Sequence, residues 1–471
     1  MISAYLIRHW ETLHGLTALL GLAIYVIGSH TFHQRRHPST AIAWVISLLL
    51  LPYIALPLYL MFGSRKLESY RPATRHFDFT TLTSTAATVA ARTQQLAAIM
   101  SLPAASPYHR LNLHEDGTQA LQALRKVLEG ATRTIDLCTF IFARDGLGEE
   151  IAQILKRRAR DGIRIRLLVD GVGAYLGGHT DFKSLSAAGV QVALFVPPLR
   201  SPLRGRTNLR NHRKMVIADS EWLWCGGRNL ASEYFEGDAT SHAASPAWID
   251  LSLDLHGALA AQAQQQFARD WEFATRRAMP KHKPPLGPGL PPGPAAAQLI
   301  ASGPDQMDDT LYTLLVSGFF TSRKRILAVT PYFVPDPTFL MSLTLAARRG
   351  VTVELLMPKK SNHRLADLAR HRALRELASA GAKIMLLPRM IHAKAVVIDD
   401  EVALTGSANL DERSLFLNYE LMLAFYDPTD VRRVTQWIEH QCSAAEPYRA
   451  RIPGFWLELV EGLLLWLAFQ L

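Results

Sequence analysis

The sequence predicts an α/β protein of two pseudo-symmetric halves, each a mixed sheet flanked by helices, behind an N-terminal transmembrane helical hairpin. Three observations predict it. A short pattern of polar residues occurs twice, once in each half of the chain. Each copy follows alternating strand-like and helix-like segments. Two long stretches without Asp, Glu, Lys or Arg open the chain.

Those stretches run from Thr12 to Gln34 and from Ser39 to Ser64. At about 1.5 Å per residue, both exceed the ~30 Å hydrocarbon core of a bilayer. The link Arg35-Arg36-His37-Pro38 makes them a hairpin, and Pro52 and Pro57 should kink its second helix. A cleaved signal peptide fits poorly, because a second apolar stretch follows at once and no small-residue cleavage site is visible. Arg8 precedes the hairpin, Arg65, Lys66, Arg71 and Arg75 follow it, and the loop carries Arg35 and Arg36. This bias places both ends, and the body that follows, on the cytoplasmic side.

The remainder is too long for one ordinary domain. A net charge of +10 and a pI near 9.5 suit an anionic partner, phospholipid or nucleic acid. Cys138, Cys225 and Cys442 are isolated, which excludes a disulfide framework and a zinc-ligand spacing.

In the first half, Thr134–Phe142 reads as a strand, Gly148–Arg160 as a helix and Ile163–Asp170 as a strand. Arg325–Tyr332, Thr338–Arg349 and Val351–Met357 repeat that order in the second. Asp161-Gly162 and Arg349-Gly350 supply the glycine that ends a helix. Strands alternating with helices argue for a mixed or parallel sheet covered on both faces. The expected divisions are a hairpin over 1–66, a first domain over 67–279, a Pro/Gly-rich linker over 280–294 and a second domain over 295–453. An apolar C-terminal helix over 454–471, with Trp456 and Trp466, is expected at the membrane interface.

The repeated pattern carries the chemistry. The first copy reads His212-Arg-Lys214-Met-Val-Ile-Ala-Asp219 and continues to Gly226-Gly227-Arg-Asn229. The second reads His392-Ala-Lys394-Ala-Val-Val-Ile-Asp399 and continues to Gly406-Ser407-Ala-Asn409. One H-x-K would mean little in a protein with 17 His and 51 Lys plus Arg, but a duplicate matching in Asp, Gly and Asn spacing is specific. Residues two apart on a strand share a face, so each His and its Lys point the same way. His212, Lys214, Asp219, His392, Lys394 and Asp399 are thus the candidate catalytic set. Within it, Asp219 and Asp399 fall where apolar runs give way to polar pairs, and are expected to stabilise hairpin turns rather than touch substrate. Gly226, Gly227 and Gly406 would let a phosphate approach the backbone.

In-line substitution at a phosphodiester needs a nucleophile on one side of phosphorus and an acid on the other. Two histidines from facing copies supply both. Lys214, Lys394, Asn229 and Asn409 would neutralise and hydrogen-bond the phosphoryl oxygens, so the site requires no metal and no cofactor. A carboxylate on the second ring nitrogen fixes a histidine tautomer. Asp250, in Trp248-Ile-Asp250, and Glu420, in Asn418-Tyr-Glu420, are the candidates, each opening an apolar strand-like run. The basic run Arg204–Arg213 is either a solvated loop or an attractor of phosphate, and His363 and His371 read as ordinary helix residues.

With their trailing G-[GS]-x-N, His212, Lys214, His392 and Lys394 resemble the phospholipase D superfamily. The stretch Gly406-Ser-Ala-Asn-Leu-Asp-Glu-Arg-Ser-Leu-Phe-Leu-Asn-Tyr-Glu420 and Thr330-Pro-Tyr-Phe-Val-Pro-Asp336 resemble bacterial cardiolipin synthases more narrowly. The resemblance implies two phospholipase D-like domains and a membrane-bound phosphatidyltransferase that joins two phosphatidylglycerol molecules with release of glycerol. It implies His212 as nucleophile, His392 as acid, and Asp250 and Glu420 as orienting carboxylates. It also implies a multi-pass protein of the bacterial inner membrane whose partners are phosphatidylglycerol and other anionic phospholipids, not nucleic acid. Pro358-Lys-Lys-Ser-Asn-His363 departs from the family, which usually carries an Asp near that Ser. Three alternatives stay open: hydrolysis by water, transfer on another phospholipid, and a nuclease using the same two histidines. The metal-dependent route to cardiolipin uses a D-G-x2-A-R signature, and no Asp-Gly pair here continues to Ala-Arg.

Overall fold

A computed structural model describes residues 10–31, 38–63, 88–197, 207–237, 246–277, 295–306 and 308–450, with residues 453, 454, 458, 461 and 462. The chain forms two compact units, one containing the N-terminal helices and the other the two α/β halves.

The first helix, α1 (Trp10–Thr31), includes a span of 20 residues long and apolar enough to cross a bilayer. The second leg differs from the single kinked helix expected. It divides at Leu51 into α2 (Pro38–Leu50) and α3 (Pro52–Phe62), because Pro52 has no N–H to continue the ladder. Pro57, in contrast, stays inside α3. Gly21 lets α1 and α2 approach, since a Cβ there would lie 2.9 Å from Leu48 Cδ2. The linker 280–294, the basic residues that flank the hairpin, and most of the apolar C-terminal segment lie outside the described residues.

In the first half the strands are β1 (Ser106–His114), β2 (Thr134–Thr139), β3 (Arg164–Asp170), β4 (Gln191–Phe195), β5 (Met215–Ala218), β6 (Trp222–Gly226) and β7 (Ser252–Gly257). In the second they are β8 (Ala295–Ser302), β9 (Arg325–Val329), β10 (Thr352–Pro358), β11 (Lys383–Leu387), β12 (Ala395–Ile398), β13 (Val402–Gly406) and β14 (Asn418–Phe425). They join one mixed sheet in the order β11-β10-β9-β12-β13-β14-β8-β1-β7-β6-β5-β2-β3-β4. Read outward from the β8–β1 junction, both halves have the same strand order. Three parallel strands (β2, β3, β4 and β9, β10, β11) form each outer flank, and antiparallel hairpins carrying the repeated motif lie inside them. The halves meet where β1 pairs antiparallel with β8.

Amphipathic helices cover the sheet. Gly117–Gly130 buries Leu121, Leu124, Val127 and Leu128 against the first half, and Thr310–Thr321 buries Leu311, Leu314, Leu315 and Phe319 against the second. Asp116, Asp145, Asp336 and Asp427 cap their helices through side-chain oxygens, each satisfying otherwise unpaired N–H groups. The strands β2 and β9 end earlier than their apolar runs suggest. Thr139 Oγ1 donates to the Ile141 carbonyl and Thr330 Oγ1 to the Tyr332 carbonyl, turning the chain out of the sheet at equivalent points.

Candidate active site

Each half sends its H-x-K strand across to the other. Ahead of β5, Arg210 and Asn211 pair in parallel with Asn418 and Tyr419. At the equivalent place Ile391 bridges Ile249. These contacts put the His212 N–H on the Tyr419 carbonyl at 2.9 Å and the His392 N–H on the Ile249 carbonyl at 2.7 Å. The next residue along each partner chain is acidic, and it meets the imidazole. His212 Nδ1 lies 3.0 Å from Glu420 Oε1, and His392 Nδ1 lies 2.8 Å from Asp250 Oδ2. The pairing crosses between the halves in both directions.

The tautomers follow from the partners. His212 Nδ1 also faces the Ser407 carbonyl at 3.2 Å, so every neighbour of that nitrogen is an acceptor. Nδ1 therefore carries the proton and Nε2 keeps its lone pair. Lys214 Nζ donates to the His212 carbonyl at 2.7 Å. Lys394 Nζ donates to the His392 carbonyl and lies across that ring, 2.7 Å from Nδ1 and 3.0 Å from Nε2. With the Nδ1 proton given to Asp250, Nε2 is the nitrogen left to accept from the lysine.

Burial dominates the electrostatics. It pushes Lys214 down to about 8, Lys394 to about 7 and His392 to about 3, the last also under the charges of Lys394 and Lys214. His212 is likewise held below the ordinary imidazole value by burial, against the pull of Glu420. Burial alone would raise both carboxyls. His212 and Lys214 beside Glu420, and His392, Lys394 and Arg228 beside Asp250, hold them below the usual carboxylate range instead. Two neutral imidazoles, two carboxylates and two easily neutralised ammonium groups are thus buried together, the kind of cluster of shifted groups that marks a functional site.

The remaining expected residues divide differently. Asp219 accepts from the N–H groups of Thr132, Arg133 and Thr134 at 2.7–2.8 Å. Asp399 accepts from those of Arg323, Lys324 and Arg325 at 2.7–3.0 Å. Both sit at positive φ in type I′-like turns, and a four-residue strand, Met215–Ala218 or Ala395–Ile398, lies between each and its histidine. Through these bonds the two carboxylates pin the hairpins to the starts of β2 and β9. Asn229 donates to Tyr234 Oη at 2.8 Å and accepts from the Ile141 N–H, and Asn409 hydrogen-bonds Asp411. Among the described residues, neither amide hydrogen-bonds an imidazole. The glycines make room for the protein itself. A Cβ on Gly227 would strike Asp250 Oδ1 at 2.2 Å, and one on Gly406 the Leu421 carbonyl at 2.1 Å.

The family model described as cardiolipin synthase, PLD-like domain matches residues 124–271 and 317–442, one stretch for each half of the sheet. The chain belongs to the cardiolipin synthase family of phospholipase D-like proteins. Cardiolipin synthase A of Pseudomonas putida strain W619 is 32% identical over 88% of either chain. Cardiolipin synthase A of Pseudomonas aeruginosa strain LESB58 is 32% identical over 87% of this chain and 86% of that one. A phospholipase D-nuclease N-terminal family matches residues 20–64, the region of the apolar helices, and the protein is membrane-associated. The crystal structure of phosphatidylserine synthase from Haemophilus influenzae Rd KW20 shares the fold, with a TM-score of 0.62 at 15% identity over 81% of this chain and 100% of that chain.

Several residues of this cardiolipin synthase family site were not legible beforehand. Phe140 packs edge-on against His212 at 5.1 Å between ring centroids. Tyr234 and Trp248 close on His392 at 5.0 and 5.6 Å. Ser407 and Ser414 donate to the two oxygens of Glu420, and Arg213 Nε donates to its backbone carbonyl. Trp248 left a signal, since two residues before Asp250 on an extended segment it shares that residue's face, and Ser407 stood within the repeated motif.

Proposed function

We propose that the protein is a phosphatidyltransferase that makes cardiolipin from two phosphatidylglycerol molecules, and that its two halves each contribute one histidine to a single reaction. The observation that carries this reading is the crossed pairing of His212 with Glu420 and His392 with Asp250. His212 Nε2 attacks phosphorus of the first phosphatidylglycerol. The phosphorus–oxygen bond to the headgroup breaks, and His392 gives its proton to the departing glycerol. A second phosphatidylglycerol then enters. Its primary hydroxyl passes a proton to His392 and attacks the phosphatidyl-His212, whose phosphorus–nitrogen bond breaks to release cardiolipin.

Lys214 and Lys394 neutralise the phosphoryl oxygens as charge develops. The phosphodiester also prepares its own acid. Its negative charge offsets the ammonium groups that, after burial, hold His392 neutral, and restores the affinity of Nε2 for a proton. Asn229 and Asn409 line the phosphate site through Tyr234 and Asp411. The apolar N-terminal helices act as a multi-pass inner-membrane hairpin with the α/β body in the cytoplasm. Incubating purified protein with phosphatidylglycerol vesicles and analysing the lipids by mass spectrometry tests the reaction. Cardiolipin with free glycerol supports transfer; phosphatidic acid alone would assign hydrolysis instead.

A further inference from the structure

In each half the segment after the second parallel strand presents apolar side chains to solvent. After β3, the turn of helix Gly171–Leu176 leaves Tyr175 and Leu176 65% and 61% exposed. After β10, the helix Arg364–Ser379 buries Ala366, Ala369 and Ala373 but leaves Leu365 and Leu368 46% and 41% exposed. Equivalent strands in the two halves thus lead into two prominences of the same character, although their sequences differ.

Both lie close to the reacting groups. Gly173 packs so tightly on the Phe140 carbonyl that a Cβ would come within 1.7 Å of it, and Phe140 is the ring against His212. On the other side, Ala366 and Ala369 pack with Tyr332 and Val334. Tyr332 follows Thr330, whose hydroxyl bonds the Tyr332 carbonyl and turns the chain out of the sheet as Thr139 does beside Phe140. The first prominence therefore stands about one layer of side chains from an imidazole, and the second packs on the equivalent turn of the other half. Basic groups border both. The exposed Arg144 donates its backbone N–H to the Gly177 carbonyl, and Lys359, Lys360 and Arg364 are exposed ahead of the leucines.

We propose that these two prominences form one docking surface for an anionic phospholipid bilayer, flanking the histidine pair so that a headgroup reaches it while its acyl chains stay in lipid. This rests on the reading of the substrate as a membrane phospholipid. Apolar tips rimmed with cations match the interfacial zone of such a bilayer, where hydrocarbon lies beneath phosphate. A water-soluble phosphodiester gives no reason to expose two such tips beside the site.

The test compares the full-length wild type with Leu365→Asp/Leu368→Asp and Tyr175→Ser/Leu176→Asp, all reconstituted in vesicles. Each protein is given long-chain phosphatidylglycerol in the bilayer and, separately, monomeric dihexanoyl phosphatidylglycerol from the water. We expect cardiolipin formation from the bilayer lipid to fall roughly tenfold or more in the variants, as apolar burial is withdrawn, with the short-chain reaction within about twofold of wild type. A fluorophore on Leu368→Cys, with Cys442 replaced, should be quenched by lipids brominated along their acyl chains. Equal loss on both substrates would assign these residues to the fold or the site and overturn the proposal. No loss on either, or a dye that bromine does not quench, would overturn it too, as would dye-to-dye energy transfer between copies without bromine quenching, which would assign the surface to self-association. A wild type that makes no cardiolipin from either lipid would sink the substrate reading instead, a distinguishable outcome.

Discussion

His212 and Glu420, 208 residues apart in the chain, meet Nδ1 to Oε1 at 3.0 Å. His392 and Asp250 meet in the same way from the opposite direction. Neither half owns a complete histidine–carboxylate pair, so the site exists only when both halves are folded together. Glu420→Gln and Asp250→Asn should each lower kcat by about 10²-fold or more while leaving KM for phosphatidylglycerol nearly unchanged, since they set tautomer rather than bind lipid. Steady-state kinetics on the folded variants checks this. Full activity in either would mean that the imidazoles need no partner.

The depressed lysines fix an alkaline limb. In the free enzyme Lys394 and Lys214 lose their protons near 7 and 8, because burial disfavours their charged forms. As pH rises through that window the site loses the positive charge that attracts the phosphodiester, so kcat/KM should fall. Bound phosphate raises both lysines, so the limb in kcat should lie at higher pH. A kcat/KM profile flat through about pH 9, or a limb in kcat at lower pH than in kcat/KM, would contradict this account.

Asp219→Asn and Asp399→Asn should cost stability rather than chemistry. Each aspartate accepts several backbone N–H groups at the edge of a parallel strand, and losing such charge-assisted bonds costs on the order of 1–3 kcal/mol. Burial raises Asp219, but its donors from Thr132, Thr134 and Arg133 outweigh that and hold it below the usual range. A depressed carboxyl stabilises above its unfolded pKa, and the gain is lost as pH falls through the folded value. Thermal unfolding should therefore show a lower Tm for Asp219→Asn at neutral pH, with the gap closing below about pH 4. A gap that widens on acidification would refute the assignment, and so would a loss of activity in folded protein.

The sequence made the duplicated site and its α/β setting legible because strand periodicity and motif spacing are local. His212 and Lys214 share a face through two-residue spacing, and β9 reads as an apolar run after Arg325, as do Leu167–Val169 of β3 and Leu355–Met357 of β10. What it hid was non-local. Pairing of Asn211 with Tyr419, which delivers Glu420 to His212, depends on how two halves fold onto one another. Thr139 and Thr330 end their strands by bonding two residues ahead, so Phe140 swings onto His212 where an apolar run suggests continued strand. Gly227 leaves room that Asp250 fills, which its place in the motif did not show. A motif tells which residues are small, not what fills the space they leave.

Turnover should persist in excess EDTA with no added divalent ion. In the proposed mechanism Lys214 and Lys394 balance the charge on the phosphoryl group, and both imidazoles already engage carboxylates. The check is cardiolipin formation before and after chelation. Loss of activity restored by magnesium or manganese would overturn this electrostatic account.

The most direct test of the shared two-histidine site is to locate the covalent phosphorus. His212→Ala and His392→Ala are each incubated with labelled phosphatidylglycerol, quenched in base and mapped by mass spectrometry. Both should lose turnover by about 10³-fold or more, because each half supplies one of two distinct roles. The His392→Ala protein should carry label on His212, since its nucleophile is intact while the groups that discharge the adduct are gone. The His212→Ala protein should carry none. Label on His392 in the His212→Ala protein would contradict the assignment, reversing nucleophile and acid.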